Sequence, residues 1–213
     1  MFKYKLWHWM ASLISMALAL SANLLAAHAS AYQLVAANAV MQTVQAPYAK
    51  QATNDKKVFL PLVQRIIPPL RIDSAASTGH TDAAGNTWVA DTGFIDGQTS
   101  DLGNISTANT NDPRIYQTER YKLTGYALPT VNGNYTVRLH FAETFYTGAG
   151  KRIFSVNVEG TPITNIDVFA ESGGLHIALI KTVNVTVADG QLNLSFTSSV
   201  AETMIDGIEV IPQ

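Results

Sequence analysis

The sequence predicts an all-β fold, a two-sheet antiparallel β-sandwich or jelly roll, and three observations carry that prediction. Beyond Leu70 the chain breaks into short runs of alternating apolar and polar residues, Gly and Asn turns separate the runs, and no segment sustains a helical period. With 213 residues and 47% hydrophobic content, the chain has material for one well-packed domain after any targeting segment is removed.

The N-terminal residues read differently. Lys3 and Lys5 precede an apolar run from Trp9 to Leu20, and small residues follow up to Ala27-His28-Ala29. Basic, apolar and small residues in that order predict a cleaved secretory signal over residues 1–29 and a secreted or extracytoplasmic mature chain. Ser12, Ser15, Ser21 and Asn23 break the run before it becomes a spanning helix, so no membrane span is expected after cleavage. Residues 30–69 are rich in Ala, Gln, Val and Lys, lack a steady period and end in Pro68-Pro69, which reads as a linker. The third segment, residues 70–213, is expected to be the folded domain.

Its strands can be taken in order. Tyr135, Val137, Leu139 and Phe141 alternate with Thr136, Arg138 and His140, launched by the hairpin-type pair Asn132-Gly133. Phe154, Val156 and Val158 form a second run, closed by a Glu159-Gly160 turn. A longer strand carries Ile177, Leu179, Val183, Val185 and Val187, and Asp189-Gly190 turns it into Leu192, Leu194 and Phe196. A closing strand spans Met204 to Val210.

Composition excludes several functions. The formal charge of −2 becomes more negative when the two signal lysines are lost, which disfavours nucleic-acid binding. The absence of cysteine removes disulfides and thiolate metal sites. Outside the signal, His80, His140 and His176 stand far apart in sequence, with no zinc-ligand spacing, and no cofactor motif appears. His140 lies on the polar side of its strand, as a solvated or hydrogen-bonded side chain. The stretch Asp82 to Asn86 with Asp91 offers oxygen ligands to calcium, but lacks a full loop spacing and reads more simply as an Asx turn. Glu119, Glu143, Asp206 and Glu209 are the candidate carboxylates for a hydrolase, without a recognisable catalytic pair, so no enzyme is expected.

Two aromatic segments remain. Phe145 and Tyr146 follow a strand and precede Thr147-Gly148-Ala149-Gly150, which puts them at the sandwich rim. Adjacent residues of an extended chain face opposite ways, so one ring either stands exposed as a platform for a sugar face or packs under the loop. In Tyr116-Gln117-Thr118-Glu119-Arg120-Tyr121, Glu119 and Tyr121 share one strand face while Tyr116 and Arg120 share the other.

That segment, together with His140-Phe141-Ala142-Glu143-Thr144-Phe145-Tyr146, Gly85-Asn86-Thr87-Trp88, Ala90-Asp91, Phe154-Ser155-Val156 and Ile166 to Glu171, resembles the malectin domain family over about Leu70 to Pro212. The resemblance implies a lectin fold that binds glucose-containing oligosaccharides, such as maltose and nigerose, in an aromatic-lined groove. By position, Tyr121, Phe145 and Tyr146 match the family's binding aromatics. Leu102 stands where the family has a binding tyrosine. Ala201 stands where it has a binding aspartate, with Glu202 beside it as a substitute. The implied function is non-catalytic oligosaccharide binding; a protein-interaction or adhesion domain on the same fold is the alternative. Four N-x-[ST] sequons begin at Asn104, Asn134, Asn184 and Asn193.

Overall fold

The computed structural model describes residues 67–213, so the expected signal and nearly all of the expected linker lie outside the described residues. Alternation does what the sequence predicts. Tyr135, Val137, Leu139 and Phe141 of β7 (Gly133–Phe141) are buried, as are Phe154, Val156 and Val158 of β8 (Ile153–Val158) and Leu192, Leu194 and Phe196 of β11 (Gln191–Val200). Period-two burial of this kind presents one apolar face per strand, and two such faces close on each other.

One sheet has the order β1-β13-β7-β10, adding β1 (Leu70–Asp73), β10 (Leu179–Val187) and β13 (Gly207–Pro212). The other has the order β6-β11-β8-β9, with β6 (Gly125–Pro129) and β9 (Thr161–Ile166) at its edges. Pairing within both is antiparallel. Their inner faces form a single apolar core in which, for example, Phe141 and Phe154 meet edge to face at 5.6 Å between ring centroids. A third, small sheet of β12 (Met204–Ile205), β5 (Thr118–Tyr121) and β4 (Gln98–Asp101) sits beside them, and β2 (His80–Thr81) pairs with β3 (Thr87–Trp88). The all-β, two-sheet reading holds.

Two local expectations need correction. Asn132-Gly133 does not close a hairpin, because β6 and β7 lie in different sheets. The Asn132 side chain instead donates to the Ala188 carbonyl and accepts from the Gly190 N–H, both within 2.9 Å, which ties this crossing to the Asp189-Gly190 crossing from β10 to β11. Glu159-Gly160 is a true two-residue hairpin: both residues have left-handed φ, at 48° and 79°, and Val158 faces Thr161 across it.

The expected closing strand is broken at Asp206, where the chain leaves β5 and joins β7 and β1. Gly207 follows because a Cβ there would stand 2.7 Å from the Ile115 side chain. Between β9 and β10 lies a short helix, α1 (Val168–Ser172), with Asp167 capping its first turn through the Ala170 N–H and left-handed Gly173 ending it.

The core sets a stability test. Phe154 is fully buried between the sheets, so Phe154→Ala should lower the unfolding free energy by about 3–5 kcal/mol. Exposed Thr182→Ala should stay within about 0.5 kcal/mol of wild type. Urea denaturation of the two folded variants measures both.

Candidate functional site

Four residues carry the binding expectation: the fold brings Phe145, Tyr146 and Glu202 into contact at one rim and sets Tyr121 on a neighbouring strand, partly buried against the core. Tyr121 ends β5, directly opposite Met204 of β12, and Glu202 lies two residues before that partner. The Lys122 N–H bonds the Thr203 carbonyl at 2.9 Å, and the Thr203 hydroxyl donates to the Leu123 carbonyl at 2.7 Å. These bonds clamp the segment bearing Tyr121 to the one bearing Glu202. From the other side, the loop leaving β7 delivers Tyr146, whose hydroxyl donates to Glu202 Oε2 at 3.0 Å. That bond pushes the Tyr146 phenol pKa up, because ionising it would set two negative charges together.

Phe145 and Tyr146 meet edge to face at 4.9 Å, and Phe145 is 73% exposed, which leaves its ring bare to solvent. Of the two arrangements open to these rings, Phe145 takes the exposed one and Tyr146 lies half-buried. Their backbone is fixed from beneath: Glu143 Oε1 accepts the Phe145 N–H at 3.0 Å and the Tyr146 N–H at 2.9 Å. Tyr121 shares its strand face with Glu119, whose Oε2 accepts the Thr144 hydroxyl at 3.0 Å, so that face looks toward the same loop.

Residues that sequence reasoning left out of the site now enter it. Register places Gln98 opposite Tyr121 and Ser100 opposite Glu119, so an amide and a hydroxyl flank the aromatic face. Glu143 and Arg152 underlie the rim. The sequence offered Glu143 only as a candidate hydrolase carboxylate and did not mark Arg152, since their partners are set by the path of the loop. Leu102 lies at the far end of that face, its N–H bonding the Gln117 carbonyl, and Ala201 is exposed in left-handed backbone with φ of 54°.

Two deeper concavities lie elsewhere. One, of about 490 Å³, opens on the outer face of the first sheet between Asn109, Tyr116, His140 and Ile180. The other, of about 510 Å³, is lined by Asp73, Asp101, Asn104, Arg114 and Thr118, on the side of β5 turned away from Tyr121. Both are polar and lack the exposed ring that distinguishes the rim.

His140, Glu209 and His80 have structural partners. His140 is buried, its Nδ1 at 2.9 Å from the Tyr116 hydroxyl and its Nε2 at 3.1 Å from Glu209 Oε1. Burial alone would raise the Glu209 pKa, but His140 and Arg71 outweigh it and hold the carboxyl below its usual range. His80 lies between Asp73 Oδ2 at 3.1 Å and Asp112 Oδ2 at 2.9 Å. Despite their separation in sequence, His80 and His140 both pack on Trp88, one stacked and one edge-on.

Comparison with known proteins bears on this geometry. A family model described as the malectin domain matches residues 70–211. Malectin-B of Xenopus laevis is 28% identical over 123 residues, covering 52% of this chain and 44% of that protein. Human Malectin is 33% identical over 105 residues, 46% of this chain and 36% of that protein. A probable leucine-rich repeat receptor-like serine/threonine-protein kinase of Arabidopsis thaliana is 31% identical over 143 residues, 57% of this chain but 14% of the kinase. The chain therefore spans less than half the length of these relatives. Among solved structures, a beta-glucuronidase of Bacteroides uniformis superposes with a TM-score of 0.62 at 22% identity, over 68% of this chain and 18% of the enzyme. The ANXUR2 extracellular domain from Arabidopsis thaliana gives 0.59 at 18% identity, over 67% of this chain and 48% of its own. These two likenesses concern the fold alone.

Hydrogen bonding accounts for the geometry of the candidate calcium segment. Asp82 accepts the N–H groups of Ala84 and Asn86, the Asn86 amide and the Trp88 indole N–H, all within 3.2 Å. Burial opposes ionisation there, but these four donors prevail and lower its pKa to about 2. Asp91 is taken up by Arg120, the Tyr126 hydroxyl and the Ala75 N–H. The segment is an Asx turn whose carboxylate oxygens accept from N–H and O–H donors. Among the described residues, no three His, Asp or Glu side chains gather as a metal set. Adding calcium, or removing it with a chelator, should leave the melting temperature unchanged; a calcium-dependent rise of several degrees would contradict this reading.

Proposed function

The chain belongs to the malectin domain family, and from that premise we propose that its described domain is a carbohydrate-binding module that performs no chemistry on the sugar. The observation that carries this reading is the rim: a bare Phe145 ring set edge to face against Tyr146, with Tyr121 alongside and the Glu202 carboxylate within hydrogen-bond reach of the Tyr146 hydroxyl. Aromatic faces take up the C–H faces of sugar rings, and a flanking carboxylate, amide and hydroxyl suit sugar hydroxyls. Glucose-containing oligosaccharides are the ligands proposed, by the positional match of Tyr121, Phe145 and Tyr146 to the family's binding aromatics. An extracytoplasmic location goes with the reading of residues 1–29 as a signal.

The carboxylates favour binding over hydrolysis. Glycosidases hold two carboxyls facing the scissile bond, about 5 Å or about 6.5–9.5 Å apart. Here Glu119, Glu143 and Asp206 are buried beneath the rim, bonded to Thr144, backbone N–H groups and Arg152, which leaves Glu202 as the carboxylate at the surface. A second reading, a protein-interaction or adhesion domain, draws on Leu102 and Ala201, which stand where the family has a binding tyrosine and aspartate, and on exposed Val200 next to Ala201.

Titration of maltose, nigerose and longer glucans into the wild type and into Tyr121→Ala, Phe145→Ala and Tyr146→Ala tests the proposal. Loss of one contributing ring should weaken binding roughly tenfold, about 1–2 kcal/mol. If wild type binds and all three folded variants bind equally well, the rim is not the site. If wild type binds no glycan, the adhesion reading replaces this one.

A further inference from the structure

We propose that Glu143 and Arg152 are the positioning residues of the aromatic rim, and that Glu119 and Asp206, packed beside them, make the order of that rim depend on protonation. The proposal rests on the reading of the rim as the binding surface. Glu143 is fully buried, and its Oε1 holds the two backbone N–H groups from which both rings hang. Arg152 is itself 5% exposed and grips the same carboxylate, with Nε 2.9 Å from Oε2 and Nη2 donating to Oε1 at 3.3 Å. Its guanidinium carbon stands 5.1 Å from the Tyr146 ring centroid, on the ring that Glu202 holds at its hydroxyl. The Arg152–Glu143 contact is an ion pair with one aligned hydrogen bond, from Nη2, and a planar guanidinium held this way fixes direction as well as charge.

The charge count in this layer is unbalanced. Facing Arg152 are Glu119 from β5, Glu143 and the Tyr146 ring from the loop, and Asp206 from the break between β12 and β13, while Glu202, from the segment before β12, holds the Tyr146 hydroxyl. Glu143 neutralises the guanidinium. Glu119 has only a looser 3.6 Å approach of its Oε1 to Arg152 Nη1, besides the Thr144 hydroxyl. Asp206 Oδ2 accepts the Ala142 N–H, while its Oδ1 is buried and makes no hydrogen bond among the described residues. A second or third buried negative charge would lack a counterion, which costs several kcal/mol per ion on the order of magnitude known for buried charges.

Burial accordingly raises the pKa of Glu119, and raises that of Asp206 well above the ordinary carboxylate range, with the Glu119 charge adding to the latter. The sign follows from linkage. The folded protein keeps protons here that the unfolded chain has released. The contribution to order is therefore complete below the ordinary carboxylate pKa and declines as pH rises through the raised values. Once ionised, Glu119 competes with Glu143 for Arg152 and draws the guanidinium off the Tyr146 ring.

Residue-resolved hydrogen exchange on the full chain, from mildly acid to mildly alkaline pH and corrected for intrinsic exchange, tests this alongside glycan titration over the same range. Protection of the Phe145 and Tyr146 amides should fall about tenfold toward alkaline pH in wild type, and Glu119→Gln should flatten that profile. Glu143→Ala should lower protection at every pH. Should that variant fail to fold, Arg152→Lys, which keeps the charge and loses the planar guanidinium, should lower it instead. A flat wild-type profile, an unchanged profile in Glu119→Gln, or wild-type protection in folded Glu143→Ala or Arg152→Lys would each overturn the proposal. Amides that behave as expected in a protein that binds no glycan would leave the positioning role standing and remove the carbohydrate reading.

Discussion

Asp206 is the joint on which three parts of the domain turn. Its N–H bonds the His140 carbonyl near the end of β7, its carbonyl accepts the Ser74 N–H just past β1, and its carboxyl accepts the Ala142 N–H where β7 gives way to the rim loop. A single residue thus stops one strand, starts another and anchors the loop that carries the aromatic pair. Because the chain changes sheets at this point, β12 can lie against β5, which is what brings Glu202 to Tyr121 and Tyr146. Such a buried carboxyl is expensive to place. It survives because backbone donors and acceptors on three sides are satisfied by the same residue.

Two kinds of packing divide the remaining work. Between the sheets the core is apolar, as a chain without cysteine requires of its main source of stability. On the outer face of the first sheet a smaller cluster of Trp88, Ile115, Tyr116, Ala142 and Ala178 covers His140, and Glu209 links that histidine to Arg71. The polar edge of β7 is therefore only partly a solvent face. Segments around Trp88 and Tyr116 that look like connections in the sequence act as a cover for it.

How much of this was legible follows from which contacts are local. Period-two alternation identified the long strands, because burial of every second side chain depends only on the strand itself. Strand pairing depends on residues far away in sequence, so Asn132-Gly133 looked like a hairpin although it carries the chain between sheets. Asp206 looked like the polar member of one alternating strand for the same reason. At the site, Tyr121, Phe145, Tyr146 and Glu202 could be named from family motifs; Phe145, Tyr146 and Glu202 touch one another, while Tyr121 packs partly on the core. Glu143 was named only as a candidate carboxylate and Arg152 not at all, since nothing in the order of residues shows that a carboxylate will turn back to hold the N–H groups two and three positions later while gripping an arginine across the loop. His140 was legible in part: its hydrogen bonding was expected, its cover by Trp88 was not.

The pairing of β1 with β13 has a mechanical consequence. Leu70 faces Val210, and the Gln213 N–H bonds the Asn134 carbonyl, so the chain enters and leaves the domain side by side, at the pole of the two sheet crossings. The rim occupies the opposite pole, beyond Phe141. Tension applied between entry and exit would pull two antiparallel neighbours apart from their common end, loading the ladder rungs one after another as a zipper opens, rather than shearing them together. Tension applied between the exit and a sugar held at the rim would run along β13 and β7 instead, and would load their rungs in parallel. The same domain is therefore built to yield easily to a pull on its own ends and to resist a pull through the rim.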